Sequence, residues 1–115
     1  MNHPAVGLAL DMFHLGIEEK SLGAAIRLAK GQVKHVQVAE NDRGTPGTGQ
    51  LAWDEVAEAL REIGYDGRVV IETFSDRVEA IARAAAIWRP LAPDSDTLAT
   101  EGLAFLRELF REGGK

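Results

Sequence analysis

Three short apolar runs along the chain each end in an acid or amide side chain. The runs cover residues 6–10, 33–36 and 68–71, and the side chains that follow them are Asp11, Gln37 and Glu72. Runs this apolar are typical of strands that are buried on both faces, as in a parallel sheet. Because helical patterns separate the three runs, the chain is predicted to be built from βα units.

Amphipathic helices are predicted between and after these strands. The first covers residues 22–30, with Ser21 as its N-cap and Gly31 as its stop. The second covers residues 53–63 and should bury Trp53, Val56, Ala57, Leu60 and Ile63. Asp94 or Ser95 should cap a last helix that buries Leu98, Leu103, Leu106 and Phe110. Residues 78–88 are alanine-rich and are also predicted to be helical.

Two segments that follow strands are predicted to be loops. Residues 11–14 form the first, and residues 40–50 form a long, glycine-rich one of the kind that is usually functional. Chemistry in parallel α/β folds sits at the carboxyl ends of the strands. Three oxygen-bearing side chains there predict one site for a hard divalent metal.

Length and composition favour a single soluble domain over residues 1–115 and exclude several classes of partner. The net charge of -5 argues against binding to nucleic acid or to an anionic membrane. No run reaches the roughly 18–20 apolar residues of a membrane span, and no signal-peptide pattern is present. Zero cysteines exclude disulfides and thiolate metal sites, and we expect a cytoplasmic protein.

Three parallel strands do not make a comfortable domain on their own, because both faces of such a sheet need cover. We therefore expect this chain to be a piece of a larger β/α unit or a partner in an assembly.

Several phrases of the sequence carry a family resemblance: LDMFH, IEEKSL, HVQVAENDRGTPGTGQLAWDEV, ALREIGYDGRVVIETF and IWRPLAPD. They resemble the C-terminal part of the sugar phosphate isomerase/epimerase superfamily, which has the xylose isomerase-like TIM barrel. The chain is most similar to the ketose 3-epimerases of the tagatose/psicose type. The resemblance implies an α/β fold made of the last three of eight βα units, a partial barrel.

The resemblance also implies a ligand set for Mn, Mg or Co. Asp11 matches the strand-six aspartate and Glu72 the strand-eight glutamate. Ketose 3-epimerases have a histidine where this chain has Gln37, whereas the related hydroxypyruvate isomerases use a glutamine in a similar HVQ phrase. Gln37 can then ligate through its amide oxygen. A fourth ligand, the strand-five glutamate, would lie upstream of Met1.

The activity that the resemblance implies is metal-dependent epimerisation or isomerisation of a small ketose or hydroxy-keto acid. A metal stabilises the enediolate, and two carboxylates on opposite faces exchange the proton. Glu72 is the candidate for one of them, and His14 and Arg43 are implied to contact substrate oxygens. With the other carboxylate upstream, the chain alone is expected to be inactive.

Other interpretations stay open at this point. The chain could be a hydroxypyruvate isomerase-like enzyme, or a non-catalytic split or truncated product whose exposed strand edges pair with a missing N-terminal part or a second copy. An abasic-site endonuclease shares the barrel, but three histidines and the acidic balance argue against it. Taken alone, Asp11 is more often an N-cap than a ligand, and His35 is more often a packed residue.

Overall fold

One parallel sheet organises the molecule. The computed structural model describes residues 3–73 and 94–111. Its strands are β1 (Leu8–Asp11), β2 (Val33–Val38) and β3 (Val69–Ile71), paired in the order β1-β2-β3. The helices are α1 (Met12–Glu18), α2 (Leu22–Leu28), α3 (Trp53–Glu62) and α4 (Ser95–Arg111). The predicted parallel α/β architecture is confirmed, and the predicted helix over residues 78–88 lies outside the described residues.

The two faces of the sheet differ in how they are covered. Side chains alternate between faces along a strand, and Val36 and Val38 point to the helices and are buried. On the other face, Ala9 is exposed and Val70 is 38% exposed. The expectation that the strands are buried on both faces is therefore wrong for this chain, because the described helices cover only one face.

The hydrophobic core lies between the sheet and the helices. Met12, Ile26, Val36 and Val56 are fully buried there, and the Trp53 ring meets Phe105 of α4 edge to face at 5.7 Å. The predicted inward residues of α3 are confirmed as buried except Ile63, which is half-buried. In α4 the prediction holds for Leu98 and Leu106, but Leu103 is 44% exposed. No helix in the described ranges is long and apolar enough to cross a membrane.

The segment after β1 is a helix and not the predicted loop. Asp11 Oδ1 accepts hydrogen bonds from the backbone N–H groups of Phe13 at 2.9 Å and His14 at 3.4 Å, so it caps α1. A side-chain acceptor at this position satisfies donors that have no partner inside the helix. The cap allows the helix to begin at Met12, directly after the last residue of the strand.

Helices α2 and α3 are joined through a carboxylate. Glu55 of α3 accepts from the Gly23 N–H at 2.8 Å and from the Ser21 hydroxyl at 3.3 Å, at the start of α2. At the far end of the pair, a two-pronged hydrogen bond from Arg27 lowers the pKa of the Glu62 carboxyl below its usual range. That second pair is exposed to solvent, so its net contribution to stability is small.

The loop between β2 and α3 packs against α4. Thr45 and Pro46 are buried, and Gly47 adopts a left-handed conformation with φ 95°. A Cβ atom on Gly47 would lie 2.5 Å from Cδ1 of Phe105. Gly47 therefore meets two demands, a left-handed backbone and a close approach to an aromatic ring.

Replacing Glu55 with alanine should lower the free energy of unfolding by about 1–2 kcal/mol, because it removes a charged acceptor at the start of α2. Urea unfolding measures the change. Glu58→Ala is the control: it removes the same charge from an exposed position of the same helix and should change stability by less than about 0.5 kcal/mol. Equal losses in the two variants would contradict the capping role of Glu55.

Gly47→Ala should destabilise the fold by about 1–3 kcal/mol more than Gly31→Ala, because an added methyl group overlaps the Phe105 ring. Gly31 is a matched control, since it also has a left-handed backbone, with φ 86°, but open space around the added Cβ. Thermal and urea unfolding of the two variants measure the difference. If they unfold alike, the loop does not pack on α4 in this way.

Candidate functional site

The strand register brings the three predicted ligand positions to one face of the sheet. Asp11 pairs with Gln37, and Gln37 pairs with Val70. Glu72 follows two residues after Val70 and therefore points to the same face, and its N–H extends the ladder to the Val38 carbonyl at 2.9 Å. From standard strand spacing and rise, the Cα atoms of Gln37 and Glu72 lie about 8 Å apart.

Asp11 is half-buried, and the cap engages only one of its carboxylate oxygens. Both hydrogen bonds of the cap end on Oδ1, which leaves Oδ2 for another partner. The interpretation of Asp11 as an N-cap is confirmed, and it is compatible with a second role as a ligand.

The donor set at this edge suits a hard divalent cation. Two carboxylates and one amide oxygen are the ligand types that Mg²⁺ and Mn²⁺ prefer. Within residues 3–73 and 94–111, no group of three or more His, Asp or Glu side chains is arranged to hold a metal. The predicted set contains only two such residues, with Gln37 as the third ligand, and metal ligation by these residues stays a prediction.

Glu40 is the residue of this region that sequence reasoning missed. It lies two residues after the end of β2, is fully buried, and accepts four hydrogen bonds. The donors are the backbone N–H groups of Asn41 at 3.2 Å, Gly47 at 2.8 Å and Leu51 at 2.8 Å, and the Trp53 indole N–H at 2.8 Å. The sequence offers one signal for this role: an acid at the start of a glycine-rich loop, with a tryptophan at the start of the helix that follows.

Arg43 and His14, the two predicted substrate contacts, lie on the same aromatic ring. The Arg43 guanidinium sits 4.1 Å from the centroid of the Phe13 ring, a cation–π geometry. The His14 ring meets Phe13 edge to face at 5.2 Å. Arg43 comes from the loop after β2 and His14 from α1, so Phe13 links the carboxyl ends of two neighbouring strands.

His35 lies on the same open face as the predicted ligands, two residues before Gln37 along β2. It pairs with Ala9 in the sheet and is half-buried. The edge therefore combines two acids and an amide from three strands with one cation from the loop. Such a surface can bind a polyhydroxylated molecule and exchange protons with it.

Comparison with known proteins identifies the family. The family model described as "Xylose isomerase-like TIM barrel" matches residues 1–109. A probable ketose 3-epimerase from Synechocystis sp. is 40% identical over 108 residues, which are 94% of this chain and 38% of that protein. A ketose 3-epimerase from Arthrobacter globiformis is 38% identical over 110 residues, with the same coverage of 94% and 38%.

The solved structure of L-ribulose 3-epimerase superposes with a TM-score of 0.88 at 36% identity, covering 95% of this chain and 37% of that one. A putative hydroxypyruvate isomerase from Streptomyces coelicolor matches over only 64 residues, 55% of this chain and 23% of that protein. The chain thus spans about 38% of the length of the ketose 3-epimerases it matches. The predicted resemblance and the predicted partial barrel are both confirmed, and the chain belongs to the xylose isomerase-like TIM barrel family.

Proposed function

We propose that this chain forms part of the active site of a metal-dependent ketose 3-epimerase. The observation that carries the proposal is the register that aligns Asp11, Gln37 and Glu72 on the open face of the sheet. It is supported by relatives whose names are ketose, D-psicose and L-ribulose 3-epimerases. The substrate would be a small ketose, and a cytoplasmic location stays a prediction.

The carboxylate of Glu72 would act as a base toward the carbon beside the ketone. It is exposed at the carboxyl edge, so a substrate can approach it from the open face. Asp11, Gln37 and Glu72 would hold a divalent cation such as Mn²⁺, Mg²⁺ or Co²⁺. When bound, that cation would stabilise the negative charge that develops on the substrate oxygens.

Arg43 and His14 would orient the sugar hydroxyls. A guanidinium presents several donors in a rigid, planar arrangement, which suits oxygen atoms at fixed spacing. His14 is exposed on the first turns of α1 and can donate or accept a hydrogen bond. Both groups lie next to Phe13 and not among the ligands, so their proposed role is binding.

Epimerisation also needs an acid or base on the opposite side of the substrate, and this chain would obtain it from further βα units. The open sheet face supports the addition of further βα units. The exposure of Val6 at 42% and of Leu8 at 45%, on the β1 side of the sheet, supports it as well. Such units would come from a longer chain or from a partner chain that pairs with the sheet. A homo-oligomer is the alternative route to cover the same surfaces.

Gln37 favours one second candidate, a hydroxypyruvate isomerase-like activity. Enzymes of that branch resemble this chain in the HVQ phrase at residues 35–37. The proton transfer next to a carbonyl would be the same, so the substrate distinguishes the two. Parallel assays with D-psicose and with hydroxypyruvate decide between them.

A chimeric barrel is the suitable protein for activity tests. In it, these 115 residues replace the matching segment of the Synechocystis relative, so that the other βα units are present. Epimerisation and the incorporation of solvent deuterium beside the ketone are both measurable in this protein.

Glu72→Gln in the chimeric barrel should reduce kcat by roughly 10²–10⁴-fold, because it keeps the oxygen donor but removes the base. Deuterium incorporation beside the ketone measures the proton transfer directly. Retained exchange in this variant would assign the proton transfer to another group. The isolated 115-residue chain should show no exchange, and measurable exchange would contradict its dependence on further βα units.

Asp11→Asn should separate the two roles of this residue. Asparagine is as good an N-cap as aspartate, so the melting temperature should change little. Loss of the charge should weaken Mn²⁺ binding about tenfold or more, since affinity follows the number of charged ligands. Calorimetric titration with Mn²⁺ measures the change, and Asp11→Ala should lose both stability and affinity. Unchanged Mn²⁺ binding in both variants would remove Asp11 from the metal site.

A further inference from the structure

We propose that the buried Glu40 carboxylate is a positioning residue that holds Arg43 at the substrate side of the site. Glu40 itself is sealed from solvent and would not touch the substrate. It would act through the shape of the loop that follows β2. The inference rests on the proposed function, because it concerns the binding role of Arg43.

The Glu40 carboxylate accepts hydrogen bonds from N–H groups along the whole loop between β2 and α3. Oε1 accepts from the Gly47 N–H and the Trp53 indole, and Oε2 accepts from the N–H groups of Asn41 and Leu51. A buried carboxylate is costly unless its oxygens are hydrogen-bonded, and charged acceptors make stronger bonds than neutral ones. The carboxylate thus joins the end of β2 to the start of α3.

The same residue also shapes the turn that contains Arg43. The Glu40 carbonyl accepts from the Arg43 N–H at 2.9 Å, and the Glu40 N–H donates to the Gly44 carbonyl at 3.0 Å. Within this turn, Arg43 has φ 70°, a left-handed conformation that is unfavourable for a residue with a Cβ. Such conformations persist when surrounding contacts over-determine them, and they cluster at functional sites.

The turn places the Arg43 guanidinium against the neighbouring βα unit, which contains Phe13. Arg43 lies over the ring of Phe13, and the backbone N–H of Phe13 donates a hydrogen bond to the Asp11 carboxylate. The position of Arg43 relative to Asp11 is therefore set by contact with Phe13 at one end and by the Glu40 turn at the other. Loosening the turn should move the guanidinium with little direct effect on the ligands.

Glu40→Gln is the sharpest variant, because it preserves size and one oxygen. In either orientation, the new NH₂ group faces two N–H donors, so one half of the hydrogen-bond set is lost. Misplacement of a binding group by about 1 Å can cost up to about 10²-fold in rate. We expect kcat/KM of the chimeric barrel for D-psicose to fall about tenfold or more.

A double-mutant cycle with Arg43→Ala tests whether Glu40 acts through Arg43. Arg43→Ala alone should lower kcat/KM strongly, and Glu40→Gln should then cause less than about a twofold further loss. The control Glu58→Gln removes a negative charge from the exposed side of α3 and should leave kcat and KM unchanged. Additive losses, or full activity of Glu40→Gln, would overturn the positioning role while leaving the epimerase proposal intact.

Arg43→Ala alone tests the premise of the positioning role, namely that Arg43 binds the substrate. If this variant keeps its kcat/KM, the binding role of Arg43 in the proposed function fails, and the positioning role of Glu40 fails with it. If Glu40→Gln does not fold, Gly49→Ala replaces it in the cycle. A Cβ atom there would overlap Asn41 Oδ1 and Glu40 Cγ, so the Glu40 side chain must shift.

A second readout needs no activity and uses the 115-residue chain itself. The Trp53 indole N–H should exchange slowly with solvent, because it donates to a buried carboxylate. In Glu40→Gln its NMR resonance should shift and its exchange should become faster, whereas Glu58→Gln should leave both unchanged. An unaltered indole signal in Glu40→Gln would show that the carboxylate does not organise the loop.

Discussion

The pairing of β2 with a strand on each side is the interaction on which the rest of the structure depends. This register sets the positions of Asp11 and Gln37 along the sheet directly. It sets the position of Glu72 through the pairing of Val70 with Gln37. A shift of one residue in either pairing would turn a predicted ligand to the opposite face. Burial of Val36 and Val38 against the helices opposes such a shift of β2, because the shift would expose both of them.

Three carboxylates near the end of this sheet differ in burial and in hydrogen bonding. Asp11 is half-buried on the open face of the sheet and caps a helix through one oxygen. Glu72 is exposed and free of a cap role in the described contacts. Glu40 is sealed by four N–H donors and serves the loop. Local hydrogen bonding and burial, and not residue type, separate a structural acid from a candidate catalytic one.

The uneven cover of the sheet agrees with the share of its relatives that this chain spans. One face is packed against α2, α3 and α4, and the other presents Ala9, Val70 and Glu72 to solvent. In a closed barrel that second face is the filled interior. The face that lines the interior of such a barrel is thus the face that the described helices leave exposed in this chain.

The sequence by itself determined the three strands in order, the helices that start at residues 22, 53 and 95, most of their inward residues, and the family. Alternation of apolar runs with amphipathic segments is a local property, so the predicted run at residues 33–36 falls within β2 and the predicted helix at 53–63 matches α3 within one residue. The match of whole phrases, over nearly the entire chain, indicated the barrel. Asp11 as an N-cap was also a local interpretation, and the structure confirms it.

Tertiary structure alone decided the features that depend on contacts between distant residues. The helix at residues 12–18 replaced a predicted loop: its cap is local, but the burial of Met12 among residues of α2, α3 and β2 arises only in the folded chain. Glu40 could not be distinguished from a solvated loop acid, since its donors at positions 47, 51 and 53 converge only after the loop has closed. Burial is the sum of such non-local contacts, and no spacing along the chain encodes it.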